Sequence, residues 1–233
     1  MIQQVKSTEY DTTLHGCRIK IGGTGGKFVP NINASKWGDE AWLNINCPIA
    51  VTAEKESFAD EKIELEIGDE KHRFFEIDDK LEYEIEYAHR PADTVAFDLT
   101  FPEGMRFVKQ KTVYEDWLDE QARNPGNPNN LTWPQYRDAA HRPENVVGSF
   151  AIYWKKKNNK YKTGKWGHIY RIGLKDAGGK TAWAESNIVP IDKTHAQLIV
   201  TMPKEFLDEA RYPITLDPIL GYDSGGGTST VLA

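Results

Sequence analysis

Ile63, Leu65 and Ile67 alternate with Glu64 and Glu66, and Leu81, Tyr83, Ile85 and Tyr87 alternate in the same way with Glu82, Glu84 and Glu86. An apolar residue at every second position lines one face of an extended chain and leaves the glutamates on the other, a pattern that does not suit a helix. These runs are expected to be half-buried antiparallel strands, joined through Arg73-Phe74-Phe75 into a three-stranded meander over residues 62–87. Gly68-Asp69-Glu70 and Asp78-Asp79-Lys80 supply the turn chemistry between them. Val95, Phe97, Leu99 and Phe101 continue the alternation up to Pro102-Glu103-Gly104.

The second half keeps the style without repeating the sequence. Phe150–Trp154, His168–Leu174, Thr181–Glu185 and Ala196–Met202 are apolar or alternating runs, and Asp176-Ala177-Gly178-Gly179-Lys180 suits a hairpin connection. A short helix fits 203–210, with Pro203 in its first turn and Tyr212-Pro213 ending it, followed by a last strand at Ile214-Thr215-Leu216. Closely spaced strands without alternating crossover helices favour a mainly β fold, an antiparallel β-sandwich with a few short helices. Residues 114–145 break the pattern: Tyr114–Leu118 has helical character and the Asn/Pro/Gly-rich stretch 124–130 reads as a long central loop. The expected organisation is a sandwich over 1–220, with a subdomain division near 110–145 left open. Residues 221–233 have the composition of a Gly/Ser/Thr-rich linker or truncated tail.

Composition narrows the partners. A chain with 39% hydrophobic and 27% charged residues has enough apolar material for a packed core. A net charge of -6 argues against a nucleic-acid partner, which calls for a clustered basic surface; Lys155-Lys156-Lys157 reads as a solvated turn. The start lacks an apolar signal region and no stretch has the length of a membrane span, so synthesis in a cytoplasm and a soluble product are expected. Cys17 and Cys47 have no CxxC partner and read as two buried free thiols.

No catalytic residue, cofactor or metal emerges from the motifs. Gly22-Gly23-Thr24-Gly25-Gly26-Lys27 resembles a phosphate-cradling loop, but Ile21 replaces the first glycine and Phe28 the Ser or Thr that would hold magnesium, so a flexible hairpin or loop is expected. His15, His72, His89, His141, His168 and His195 show no metal-ligand spacing. Ser149 lacks the second glycine of a nucleophile elbow and is expected to begin a strand. Glu82, Glu84 and Glu86 share one strand face and read as a solvated outer surface that deters edge aggregation. Trp154, Trp166, Tyr170 and Trp183 lie on or near strands; they either fill the space between sheets, the default, or form a sugar-stacking platform. His168 and Tyr170 share one side and form either a hydrogen-bonded packing pair or part of a binding site.

The segment from Arg142-Pro143-Glu144-Asn145 through Tyr153 resembles a block in uncharacterised phage and prophage proteins. It is followed, as there, by a piece like Lys162–Arg171 and then by Pro203–Asp208 and Ala210–Pro218, with the ending Tyr212-Pro213-Ile214-Thr215-Leu216-Asp217-Pro218. Lys27–Asn33 and Trp42–Asn46 are similar to the same family, whereas the Asn/Pro-rich region between Tyr114 and His141 departs from it. The resemblance implies a non-catalytic structural module at the front of a virion protein, anchoring or spacing part of a tail tip, fibre or decoration. Its implied location is the virion after synthesis in the host cytoplasm, and its implied partners are other virion proteins or copies of itself, a trimer being one form. The competing expectations are a module binding carbohydrate on a host cell surface, with Trp154, Trp166, His168, Tyr170 and Trp183 as binding residues, and, ranked last, a glycan hydrolase.

Overall fold

The computed structural model describes residues 1–6, 8–23, 29–47, 55–139, 144–155 and 164–221. The glycine-rich loop beyond Gly23, the basic run beyond Lys155 and the terminal stretch 222–233 lie outside the described residues.

The chain begins with β1 (Gln3–Lys6), β2 (Glu9–Leu14), β3 (Cys17–Gly22), β4 (Asn31–Lys36) and β5 (Ala41–Asn46). Next come β6 (Lys55–Ala59), β7 (Lys62–Ile67), β8 (Glu70–Ile77) and β9 (Lys80–Tyr87), then β10 (Thr94–Thr100) and β11 (Met105–Lys109). Two helices, α1 (Val113–Arg123) and α2 (Trp133–Ala139), precede β12 (Phe150–Trp154) and β13 (Gly164–Ile169). The rest comprises β14 (Gly173–Asp176), β15 (Thr181–Trp183), β16 (Glu185–Pro190), β17 (His195–Thr201), α3 (Lys204–Glu209), β18 (Ile214–Asp217) and β19 (Ile219–Gly221).

The strands make two antiparallel sheets packed face to face as a β-sandwich. One runs β1-β2-β3-β4-β5-β10-β17-β16 and the other β11-β12-β13-β19-β9-β18-β14-β15, with β8, β7 and β6 continuing from β9. The expected meander is β7 to β9. Its last turn places both Asp78 and Asp79 at positive φ, 48° and 58°, the conformation that matches the twist of a two-residue hairpin. The alternating residues Ile63, Leu65, Phe74, Leu81, Tyr83 and Ile85 face inward and join Ile19, Ile32, Leu43 and Leu198 of the other sheet in one core cluster. Each such fully buried aliphatic side chain contributes about 1.5–3 kcal/mol. Polar ties cross the same interface: Trp166 Nε1 donates to the Ala41 carbonyl at 2.9 Å, and the Lys36 ammonium donates to the Trp166 carbonyl at 2.6 Å.

The larger sheet forks at β9. β8 takes one edge, while β18 and β19 share the other, β18 opposite Ile85–Tyr87 and β19 opposite Leu81 and Glu82. Pro218 separates the two, lacking an N–H to continue the ladder, and its carbonyl accepts from Tyr83 N at 3.1 Å.

Three expectations are corrected. The long central loop is a helical hairpin: Thr112 and Glu115 form a capping box for α1, and Gln135 accepts from Thr132 N at 3.0 Å ahead of α2. Tyr114, Trp117 and Trp133 pack together between these helices, and none of them belongs to the core cluster. The run His168–Leu174 is divided between β13 and β14, with Tyr170 outside both. The run Thr181–Glu185 crosses between sheets at Ala184, where β15 ends in the larger sheet and β16 begins in the smaller. No helix among the described residues is long and apolar enough to cross a membrane.

Candidate functional site

The outward face of the forked sheet carries a groove of about 910 Å³. Strand alternation decides what lines it. Thr215 stands opposite Glu86 and Lys175 opposite Thr215, while Gly173 is opposite both Asp217 and Trp183. Gly173 leaves the floor low between Trp183 and Asp217; a Cβ there would sit 3.8 Å from the indole. Glu144, reaching in from the segment before β12, closes one rim.

Trp183 is the aromatic wall. Its Nε1 donates to Glu144 Oε1 at 2.7 Å, and the Arg171 guanidinium lies 4.7 Å from the ring centroid. The Arg171 backbone is itself held to the Asn145 carbonyl at 2.8 Å. A half-buried indole with its edge hydrogen-bonded and one face capped by a cation is held in one orientation, which lowers the entropy lost when a ligand stacks on it.

Carboxylates supply the rest. Arg73 reaches Glu64 at 2.7 Å, Glu86 at 2.9 Å and Glu84 at 3.7 Å. Asp176 is committed to the fold, accepting from Arg211 N at 2.9 Å and Lys180 N at 2.8 Å, and these bonds hold its carboxyl below the usual range. Glu82 was expected on a solvated face, but it is 7% exposed, wedged at the fork against Asp217. Burial, the hydrogen bond to Asp217 and the negative charges of Asp217 and Glu84 push its carboxyl up to about 9. Burial also raises Asp217, while the proton donated by Glu82 opposes that shift. Both carboxyls are raised, so the pair retains one shared proton at neutral pH. No N–H or O–H of the described residues reaches Glu82 Oε2 or Asp217 Oδ1, although both oxygens are buried.

Two further constellations have the residue types of nucleophilic sites. Ser149 Oγ donates to the Val146 carbonyl and lies 2.6 Å from His168 Nε2. With its only proton already given away, the serine accepts from the imidazole, the wrong direction for general-base activation, and it is fully buried. His72 is wholly buried too, with Tyr83 on Nδ1 at 2.8 Å and Glu70 on Nε2 at 3.1 Å, so both nitrogens beside the buried Cys47 are engaged. These are internal polar networks of the core.

The five aromatic and histidine candidates do not converge. Trp154, Trp166, His168 and Tyr170 are buried, and Tyr170 packs at a tilt against His168 with ring centroids 4.7 Å apart. Of the five, Trp183 lines the groove. Sequence reasoning missed Glu144, Gly173 and the Glu82–Asp217 pair as site residues. Glu144 meets Trp183 across 39 positions of chain, and the carboxyl pair exists because a fork places β18 beside β9, so neither has a local signature. No protein-family model, no curated protein and no solved structure matches this chain.

Proposed function

We propose that this chain is a non-catalytic recognition module of a phage particle protein, binding a cell-surface carbohydrate in the groove beside Trp183. The observation that carries the proposal is the immobilised indole at the rim of an open groove that mixes hydroxyl, carboxylate and ammonium groups with apolar residues such as Leu174, Ala182 and Pro213. A sugar presents an apolar ring face to an aromatic side chain and hydroxyls to polar ones, and the groove's volume matches the range of small-ligand sites. The phage setting draws on the sequence blocks described above. The described parts of all three converge here: the first contributes Glu144, the second Arg171, and the third Pro213, Thr215 and Asp217. Recognition is taken over hydrolysis because groove carboxyls are engaged within the protein: Glu84 and Glu86 with Arg73, Glu144 with Trp183 Nε1, and Asp176 with the backbone of Lys180 and Arg211.

A glycan array followed by calorimetry tests this. Wild type is expected to bind a defined oligosaccharide without cleaving it, and Trp183→Ala to weaken binding by at least about tenfold, or 1.4 kcal/mol. Unchanged affinity in that variant would remove the groove from consideration, and release of reducing ends would convert the module into an enzyme.

A second reading, an anchoring or spacing module that assembles with copies of itself or with other virion proteins, is favoured by the smaller sheet's edge strand β16. Among the described residues it pairs with β17 alone, and Val189 within it and Ile191 just after it are 45% and 65% exposed. A defined oligomer in light scattering, dispersed by Val189→Lys, supports that reading; a monomer at all concentrations opposes self-assembly.

A further inference from the structure

We infer that the flank where β11 and β16 lie side by side is a docking surface for a second copy of this chain, with each sheet continuing into the same sheet of its partner across a two-fold axis. This deepens the assembly reading above and rests on it.

Backbone alternation is the first argument. Ile191 N donates to the His195 carbonyl at 2.9 Å, so Ile191 and, by alternation, Val189, Asn187 and Glu185 turn their backbone groups to β17. Ser186, Ile188 and Pro190 therefore turn theirs off the sheet. β11 follows the same rule: Gln110 exchanges backbone bonds with Ser149 and Gly148, and Gly104 accepts from Lys155 N. Arg106 and Val108 thus face β12, while Phe107 and Lys109 face outward. Among the described residues β11 and β16 each have one strand neighbour, and such an edge is a template for another strand. Pro190 takes an outward position, where its missing N–H costs its own sheet nothing and leaves Ser186 and Ile188 as the donors of the edge.

The pairing of these two edges selects the occupant. They are tied together near both ends, by Lys193 with Glu103 at 3.5 Å and by Lys109 Nζ donating to Asn187 at 3.0 Å. Lys109 and Asn187 are exposed, so their bond yields to an incoming strand. A single foreign strand would complete one sheet and leave the other open. A second copy carries the same two edges at the same separation, and an antiparallel edge is its own complement in donors and acceptors. A two-fold axis perpendicular to the sheets therefore sets β16 against β16 and β11 against β11 in one step.

Side chains agree with the backbone. Val108 on β11, Val189 on β16 and Ile191 just after it are exposed apolar residues of this flank, and a second copy covers them. Antiparallel pairing about the middle of each strand sets Glu185 against the apolar end of the other β16 and Arg106 beside Val108 of the other β11, so no like charges oppose each other. The other edge of the smaller sheet differs. There β1 is four residues long and has a register shift between Gln4 and Lys6, an irregularity that turns an edge away from pairing.

The test begins with sedimentation of the purified full chain over a concentration series, where a dimer is expected. Asn187→Cys and Val189→Cys lie near the axis on the exposed side of β16. Oxidised singly or mixed, they should give a disulfide-linked dimer at least about tenfold faster than Val5→Cys, an exposed control on β1, because a formed dimer holds the thiols at an effective concentration on the order of millimolar. Ile188→Pro deletes an outward N–H that β17 does not use, and it should raise the dissociation constant by at least about tenfold. If circular dichroism shows that variant unfolded, Lys109→Pro, at an exposed and outward position of β11, replaces it with the same expectation. A trimer, or a dimer that no β16 cysteine traps and no proline disperses, overturns the inference and leaves the assembly reading standing. A chain that stays monomeric at every concentration overturns the inference and self-assembly together.

Discussion

Glu84 and Glu86 on one side, and Glu82 on the other, belong to one strand, one spacing and one sheet face, yet the two halves of this row are chemically opposite. Opposite Glu84 on β8 stands Arg73, which also reaches Glu86. Opposite Glu82 stand Phe75 on β8 and Ile219 on β19, and the nearest carboxyl belongs to Asp217. One half therefore solves its electrostatics with a shared cation and the other with a shared proton. The lesson concerns register: a repeating pattern along a strand says which face a side chain takes, while the residues across the ladder decide whether it is charged.

The largest expected effect comes from removing the cation. Arg73→Met leaves Glu64, Glu84 and Glu86 without their common partner, and urea unfolding at pH 7 should show a loss of about 2–3 kcal/mol, below the value for a fully buried pair because these side chains retain solvent contact. A change under about 0.5 kcal/mol would mean the two halves of the row are not different in kind.

Next in size is Glu82→Gln. Unfolded, Glu82 titrates near the ordinary glutamate value of about 4.3, and folded it keeps its proton up to about 9. Between those limits the native state holds more protons than the unfolded one, so stability falls as pH rises through this window. The amide variant has nothing to protonate. Measured against wild type, it should be more stable by about 2 kcal/mol at pH 8 and nearly equal at pH 4, giving a flatter stability profile. A wild-type profile without alkaline decline would contradict the shared proton.

The smallest effect sharpens the comparison by copying one half onto the other. Phe75→Arg places a guanidinium opposite Glu82, as Arg73 stands opposite Glu84. The Glu82 carboxyl, followed by carbon-detected NMR titration, should move down by about one unit or more, worth 1.4 kcal/mol. No movement would show that burial at the fork, and not the missing cation, sustains the shift.

The particular residues show what kind of information each level carries. The strands of the meander were legible because side-chain alternation is a local property, and the Asp78-Asp79 turn because short polar side chains tolerate left-handed backbone. The helical hairpin was legible too, in principle: Thr112 and Glu115, like Thr132 and Gln135, have the spacing of capping boxes, which the intervening Asn/Pro/Gly stretch obscured. Trp183 could be placed on a strand, but its exposure relative to Trp154 and Trp166 could not, since all three sit in similar local sequence and differ in which sheet face and neighbour they meet.

The two-residue period alone dictates the mainly β architecture, the inward set of apolar side chains and the outward set of glutamates. That β9 is shared by two strands, that Pro218 parts them and that Asp217 reaches Glu82 in the gap follow from the sheet order instead. Whether a carboxyl is ionised, and whether a tryptophan is a wall or a core residue, depends on partners tens to more than a hundred positions away in the chain. Those meetings are arranged by sheet order and register, which no local pattern encodes.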